Sequence, residues 1–187
     1  DAQESRGLGD VYKRQGKIQD RTEEIGMEPV PCQEDIQMTR SKMREHCFKM
    51  LFAAEFYPAQ EVEQQTRQYF DSPDEDDITA EGETEIIHRV EMQEKERSFL
   101  IERVEAIAAK RDELDDQINQ VAYGWKTRRM GRVELTILRQ ALYEMKYDDQ
   151  VPEKVAINEA VDLAKKFGGR DSAAFINGVL AKLVTAE

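Results

Sequence analysis

Three apolar stripes, each set off by turn residues, fill the last third of the chain. Leu135, Leu138, Leu142 and Met145 recur three or four residues apart, the spacing that lines one face of a helix running over about 132–147. Asp148-Asp149-Gln150 and Pro152 break that run, and a second stripe of Val155, Ala160, Leu163 and Phe167 follows. Pro152 suits the first position of a helix, where its missing N–H costs nothing. Gly168-Gly169 stops this helix. Asp171 or Ser172 then caps a third, with Phe175, Ile176, Val179, Leu180 and Leu183 turned inward. A chain punctuated in this way packs as helices. No alternating apolar pattern of strand type runs anywhere along it, so the sequence predicts an all-α fold.

The upstream half follows the same logic less tightly. From Thr39 onward Met43, Cys47, Met50, Leu51 and Ala54 line a first helix, which Pro58 ends, and a shorter helix fits 61–70. The stretch 71–85 is crowded with Asp and Glu and reads as a loop or weakly ordered insertion. Leu100, Val104, Ile107, Leu114, Ile118, Val121 and Trp125 then keep a nearly continuous stripe. It fits one helix of about 30 residues or a helical hairpin with Asp112 capping its second arm. Trp125 continues the stripe and reads as core. Asn158 and Asn177 lie inside amphipathic helices, where asparagine is unfavourable, so both are expected to make buried structural hydrogen bonds.

Residues 1–38 show no helical periodicity and hold three of the ten glycines within the first sixteen positions. Asp10-Val11-Tyr12-Lys13-Arg14-Gln15 resembles the translated transposon end of a sequencing library. Residues 1–15 therefore read as a library scar, 16–37 as translated upstream sequence, and Met38 as a native start; a genuine disordered tail is the alternative. The working domain is 39–187. Two cysteines, Cys32 and Cys47, form neither a C-x-x-C nor a histidine-paired cluster, and no apolar run approaches the roughly 20 residues of a membrane span. A reduced cytoplasm is the expected setting.

Net charge is -12, from 27 Lys and Arg against 39 Asp and Glu, which argues against nucleic-acid binding only if the charges are mixed. They are segregated. No Lys or Arg lies between Arg67 and Arg89, whereas Arg40-Ser41-Lys42-Met43-Arg44 and Lys126-Thr127-Arg128-Arg129-Met130-Gly131-Arg132 are basic. At a helix start, Arg40, Lys42 and Arg44 add to the positive potential of the unpaired N–H groups. Trp125 beside four cations has the elements of single-strand recognition, namely stacking and phosphate contact. Catalysis has no such support. His46 and His88 lack Cys or Ser partners at a motif spacing, the acidic run lacks the order of a calcium loop, and 167–170 lacks the ending of a phosphate loop. No catalytic residue, metal site or cofactor is expected.

Val151-Pro152-Glu153-Lys154-Val155-Ala156-Ile157-Asn158-Glu159-Ala160-Val161-Asp162-Leu163-Ala164-Lys165-Lys166-Phe167-Gly168, with Asp171-Ser172 and Phe175-Ile176-Asn177-Gly178-Val179-Leu180 after it, resembles the signature helices of the NusB family of transcription antitermination factors. Trp125-Lys126, Arg129, Arg132-Val133-Glu134 and Ile137-Leu138-Arg139-Gln140-Ala141-Leu142-Tyr143-Glu144 are similar to the preceding block of that family; Arg44-Glu45 and Leu51-Phe52 fit its first helix more loosely. The resemblance covers 39–187 and is most specific over 125–180. It implies two small helical bundles packed together and binding of boxA single-stranded RNA in nascent ribosomal transcripts. The implied partners are the ribosomal protein NusE and the RNA polymerase antitermination complex, with no enzymatic activity. RNA contacts map to Arg40, Lys42 and Arg44, and by extension to Lys126, Arg129, Lys166 and Asp171; Phe52 and Glu134 map to the partner surface. Two alternatives stand beside it. One is the helical N-terminal domain of an RNA cytosine methyltransferase, which would need a long cofactor-binding domain beyond Glu187; the other is a helical adaptor without an RNA role.

Overall fold

The computed structural model describes residues 38–71, 75–88 and 90–185. The chain divides into Asp1–Ile36 and Gln37–Glu187, and every described residue belongs to the second unit. The leader expected over 1–38 lies outside the described residues, apart from Met38.

Seven α-helices make up the described fold: α1 Arg40–Ala54, α2 Val62–Tyr69, α3 Glu94–Ala109, α4 Arg111–Val121, α5 Arg132–Tyr147, α6 Glu153–Phe167 and α7 Ser172–Thr185. They pack as two bundles. Helices α1, α2 and α3 touch one another, α4 to α7 form the second group, and α1 joins the two by packing on α5 and α6. This central position explains why α1 buries residues on every side, Arg44, Glu45, His46, Cys47, Phe48, Met50 and Leu51 among them. A helix so enclosed cannot show a clean amphipathic stripe. Thr39 caps it, its hydroxyl accepting from the Lys42 N–H at 3.2 Å.

The apolar stripes are where the sequence puts them. Leu100, Val104, Ile107, Leu114, Ile118, Ile137, Leu138, Leu142, Ile176 and Leu180 are fully buried. The stretch from Glu94 is neither one continuous helix nor a packed hairpin: it breaks at Lys110 into α3, which packs on α1 and α2, and α4, which packs on α5 and α7, with Asp112 in the first turn of α4 rather than at its cap. Arg139 pins the bundle junction: Nε and Nη2 donate to the two Asp115 oxygens at 2.7 and 2.8 Å, and Nη1 to Glu55 Oε1 at 2.6 Å.

Four local expectations change. The acidic stretch carries an antiparallel hairpin, β1 Glu75–Ile78 paired with β2 Thr84–His88, in place of a loop. Gly82, at φ +81°, closes its turn, and the β-branched Ile78, Thr79, Thr84, Ile86 and Ile87 outweigh the surrounding acids. Helix α1 stops at Ala54, short of Pro58, and the chain re-enters helix through a 3₁₀ turn, Ala59–Glu61. Pro152 is the extended cap of α6 rather than its first residue; Ala156, Ala160 and Ala164 face the core, while Val155 is exposed. Asn158 and Asn177 are exposed, because α6 and α7 turn Ala160, Leu163, Ile176 and Leu180 inward instead.

Candidate nucleic-acid interface

The start of α1 lies beside α6. Ser41 Oγ donates to Glu159 Oε1 at 2.8 Å, which fixes the two helices in register there. Arg40 and Lys42 are both exposed, Lys42 on the side of Glu45 and Lys166, and Arg40 on the side of α3 and the turn before α6. Arg44 is not: it points into the protein, where Nε donates to Glu144 Oε2 at 2.8 Å and Oε1 at 3.1 Å, and Nη1 lies 3.8 Å from Glu159 Oε2. One residue in three or four on any helix must face its neighbour, and at position 44 that neighbour is α5. Burial raises the Glu144 carboxyl above its usual range, against the hydrogen bond and charge of Arg44.

Lys166, at the end of α6, reaches back to α1. Its ammonium donates to Glu45 Oε2 at 2.8 Å, while Lys42 donates to Glu45 Oε1 at 3.1 Å and Lys49 sits 3.4 Å from the same oxygen. Burial alone would raise the Glu45 carboxyl. Hydrogen bonds from Lys166 and Lys42, with their charges, outweigh it and hold the group at about 2. Three ammonium groups around one carboxylate leave the face positive. Neither Glu45 nor Lys49 is among the expected site residues, although the spacing Lys42, Glu45, Lys49 is that of helix-surface ion pairs.

Beyond Lys166 the chain turns through 167–172. Only glycine fits position 168, because a Cβ there would lie 2.7 Å from the Ala164 carbonyl oxygen and 2.5 Å from Ser172 Cβ. Asp171 is exposed on this turn. Ser172 donates its hydroxyl to Glu134, tying the start of α7 to α5, so the Glu134 carboxylate is partly spent inside the fold. Phe52 is half-buried in a row of rings running outward: Phe167 stacks on Phe48 at 4.8 Å, Phe48 on Phe52 at 5.9 Å, and Phe52 meets Phe56 at 5.4 Å. Phe56 ends that row exposed, with the Arg132 guanidinium over its ring at 4.8 Å.

The second basic segment lies on the linker from α4 to α5. Lys126, Arg128 and Arg129 are exposed. Trp125 is 59% exposed and leaves the core reading of its stripe behind. Helix α4 ends at Val121, and Gly124 at φ +80° turns the chain before the stripe could reach Trp125.

A sequence profile described as the NusB family matches residues 41–185. The chain belongs to the NusB family. It is 44% identical over 147 residues to a transcription antitermination protein NusB of Lachnoclostridium phytofermentans, covering 79% of this chain and 99% of that protein. A NusB of Agathobacter rectalis is 44% identical over 145 residues, covering 78% and 98%. Among solved structures, T. maritima NusB aligns with a TM-score of 0.65 at 25% identity, over 80% of this chain and 93% of that one. A chain from the complex of antitermination factors NusB and NusE with double-stranded RNA aligns with a TM-score of 0.57 at 18% identity over 80% and 100%; it shares the fold.

Within this NusB-family chain, other reactive side chains are put to structural use. Cys47 is buried, and desolvation followed by the charge of Glu144 pushes its thiol up to about 12. His46 Nδ1 lies 2.6 Å from the Tyr69 hydroxyl. Among the described residues no group of three or more His, Cys, Asp or Glu could hold a metal ion, and no helix is long and apolar enough to cross a membrane.

Proposed function

We propose that this chain is a transcription antitermination factor that binds boxA-type single-stranded RNA in nascent ribosomal transcripts, jointly with the ribosomal protein NusE, as part of the RNA polymerase antitermination complex. Its role is binding, without a chemical step, and its working domain is 39–187. One observation carries the reading: a NusB-family chain of net charge -12 gathers Lys42, Lys49 and Lys166 around a single carboxylate, Glu45, where α1 meets the end of α6, with Arg40 exposed at the start of α1. Phosphate affinity is local, since distant acids are screened beyond about 8 Å at physiological salt. Arg40, Lys42 and Lys166 take phosphates in this reading, and Asp171 suits a base amino group rather than a phosphate. Lys126 and Arg129 add to the RNA contacts; Phe52, with Phe56 beyond it, and Glu134 form the side that meets NusE.

The test is fluorescence anisotropy with boxA and scrambled RNA across a salt series, with and without NusE. Replacing Arg40 and Lys42 by Gln should flatten the slope of log affinity against log salt by about 1.4, at roughly 0.7 per phosphate contact on a single strand. An unchanged slope in the folded double variant would move the RNA site off α1.

A further inference from the structure

Tyr123, 82% exposed, and Trp125 stand out from the surface on the linker between α4 and α5. Large rings in water forgo burial, so a fold that holds them there calls for an explanation. These rings are held. Asn119 clamps the linker, its Oδ1 accepting from the Thr127 N–H at 2.8 Å and its Nδ2 donating to Thr127 Oγ1 at 3.1 Å. The Trp125 N–H reaches the Ala122 carbonyl at 3.2 Å, and the Arg129 N–H the Lys126 carbonyl at 2.8 Å. Trp125 meets Phe175 edge to face, with centroids 6.3 Å apart. Lys182 Nζ lies 5.7 Å from the Tyr123 ring centre.

The linker itself is cationic. Lys126, Arg128 and Arg129 follow within four residues, and no Asp or Glu occurs in 122–131. Arg128 lines a cleft that also holds Glu102, Asp112 and Asp115, whereas on the side of Trp125 Glu134 is engaged by Ser172 and Asp171 lies one turn before Phe175. The 167–172 turn carries the chain from Lys166 to α7, where Phe175 meets Trp125.

We propose that Tyr123 and Trp125 form a stacking platform for unpaired bases flanking the boxA element, with Lys126, Arg129 and Lys182 receiving the phosphates. Exposed rings among cations match a single strand, whose bases present free faces, better than a duplex or an acidic protein surface. The proposal rests on the RNA-binding reading and extends its footprint along the strand.

Trp125 is the one tryptophan of the chain, so its emission reports the platform directly. The probes are a boxA RNA of about 12 nucleotides and the same RNA with about eight adenosines added at its 5′ or 3′ end, each with NusE present. One of the extended RNAs should quench Trp125. Trp125→Ala should weaken that RNA about 5-fold or more and leave the short one within about twofold, while Trp125→Phe keeps most of the affinity. Tyr123→Ala, read on the remaining Trp125, should reduce the quench. Circular dichroism checks folding of each variant. Short and extended RNAs bound equally well by every variant, without a change in emission, would overturn the platform and leave the α1 site intact. Binding of neither RNA by the unmodified protein would overturn both readings. Weaker NusE binding by Trp125→Ala in the absence of RNA would make the patch a protein contact and overturn the proposal.

Discussion

Replacing Arg44 by Gln separates the two uses of basic residues at the start of α1. Arg44 is 8% exposed and makes two hydrogen bonds to Glu144, whose side chain is equally enclosed. Removing one partner of a buried ion pair costs about 3–5 kcal/mol, mostly from the charge left behind. The Gln amide can keep part of the hydrogen bonding, so we expect about 3 kcal/mol. With a urea dependence of about 2 kcal/mol per molar, the midpoint should fall by about 1.5 M. The loss should depend on pH. Burial already holds the Glu144 carboxyl above its usual range, and losing Arg44 removes the hydrogen bond and charge that oppose burial. A carboxyl with a raised pKa in the folded state binds its proton more readily there, so falling pH favours folding. The variant should therefore regain stability as pH drops from neutrality, narrowing its gap to the unmodified protein. Arg44→Met combined with Glu144→Leu should recover most of the loss. The assays are urea denaturation at two pH values and the salt series with boxA RNA, whose slope should stay put while the variant is folded. An unchanged midpoint together with a slope flattened by about 0.7 would show that Arg44 turns outward to phosphate.

Two further outcomes follow from the same geometry. Asn119→Ala should lower stability by about 1–3 kcal/mol, since it strands the Thr127 N–H, whereas Asn158→Ala and Asn177→Ala should stay within about 0.5 kcal/mol; denaturant midpoints read all three. Lys166→Gln should move the Glu45 carboxyl up from about 2 in an NMR titration, and should shrink the stability lost as pH falls from the ordinary carboxylate range toward 2, because a depressed pKa stabilises only above that range.

The helices of this protein are written into its sequence. Leu135, Leu138, Leu142, Ile176 and Leu180 carry their spacing directly, and Gly168-Gly169 marks a stop that the fold enforces by close packing. The segregation of charge was legible too, and with it Arg40, Lys42, Lys126 and Arg129 as exposed cations. Tertiary structure decided which side chains those helices spend on one another. Arg44 carries the same charge as Arg40, but α5 supplies Glu144 opposite it, and that partner stands 100 residues away in the chain. Lys166 and Glu45 meet across 121 residues for the same reason. Trp125 continues an apolar period on paper, yet a single left-handed glycine at 124 ends the helix and turns the ring into solvent. Periodicity follows from local backbone geometry, so one chain segment suffices to reveal it. The partner of a buried charge, and the side of a turn on which a ring emerges, depend on where distant helices come to lie.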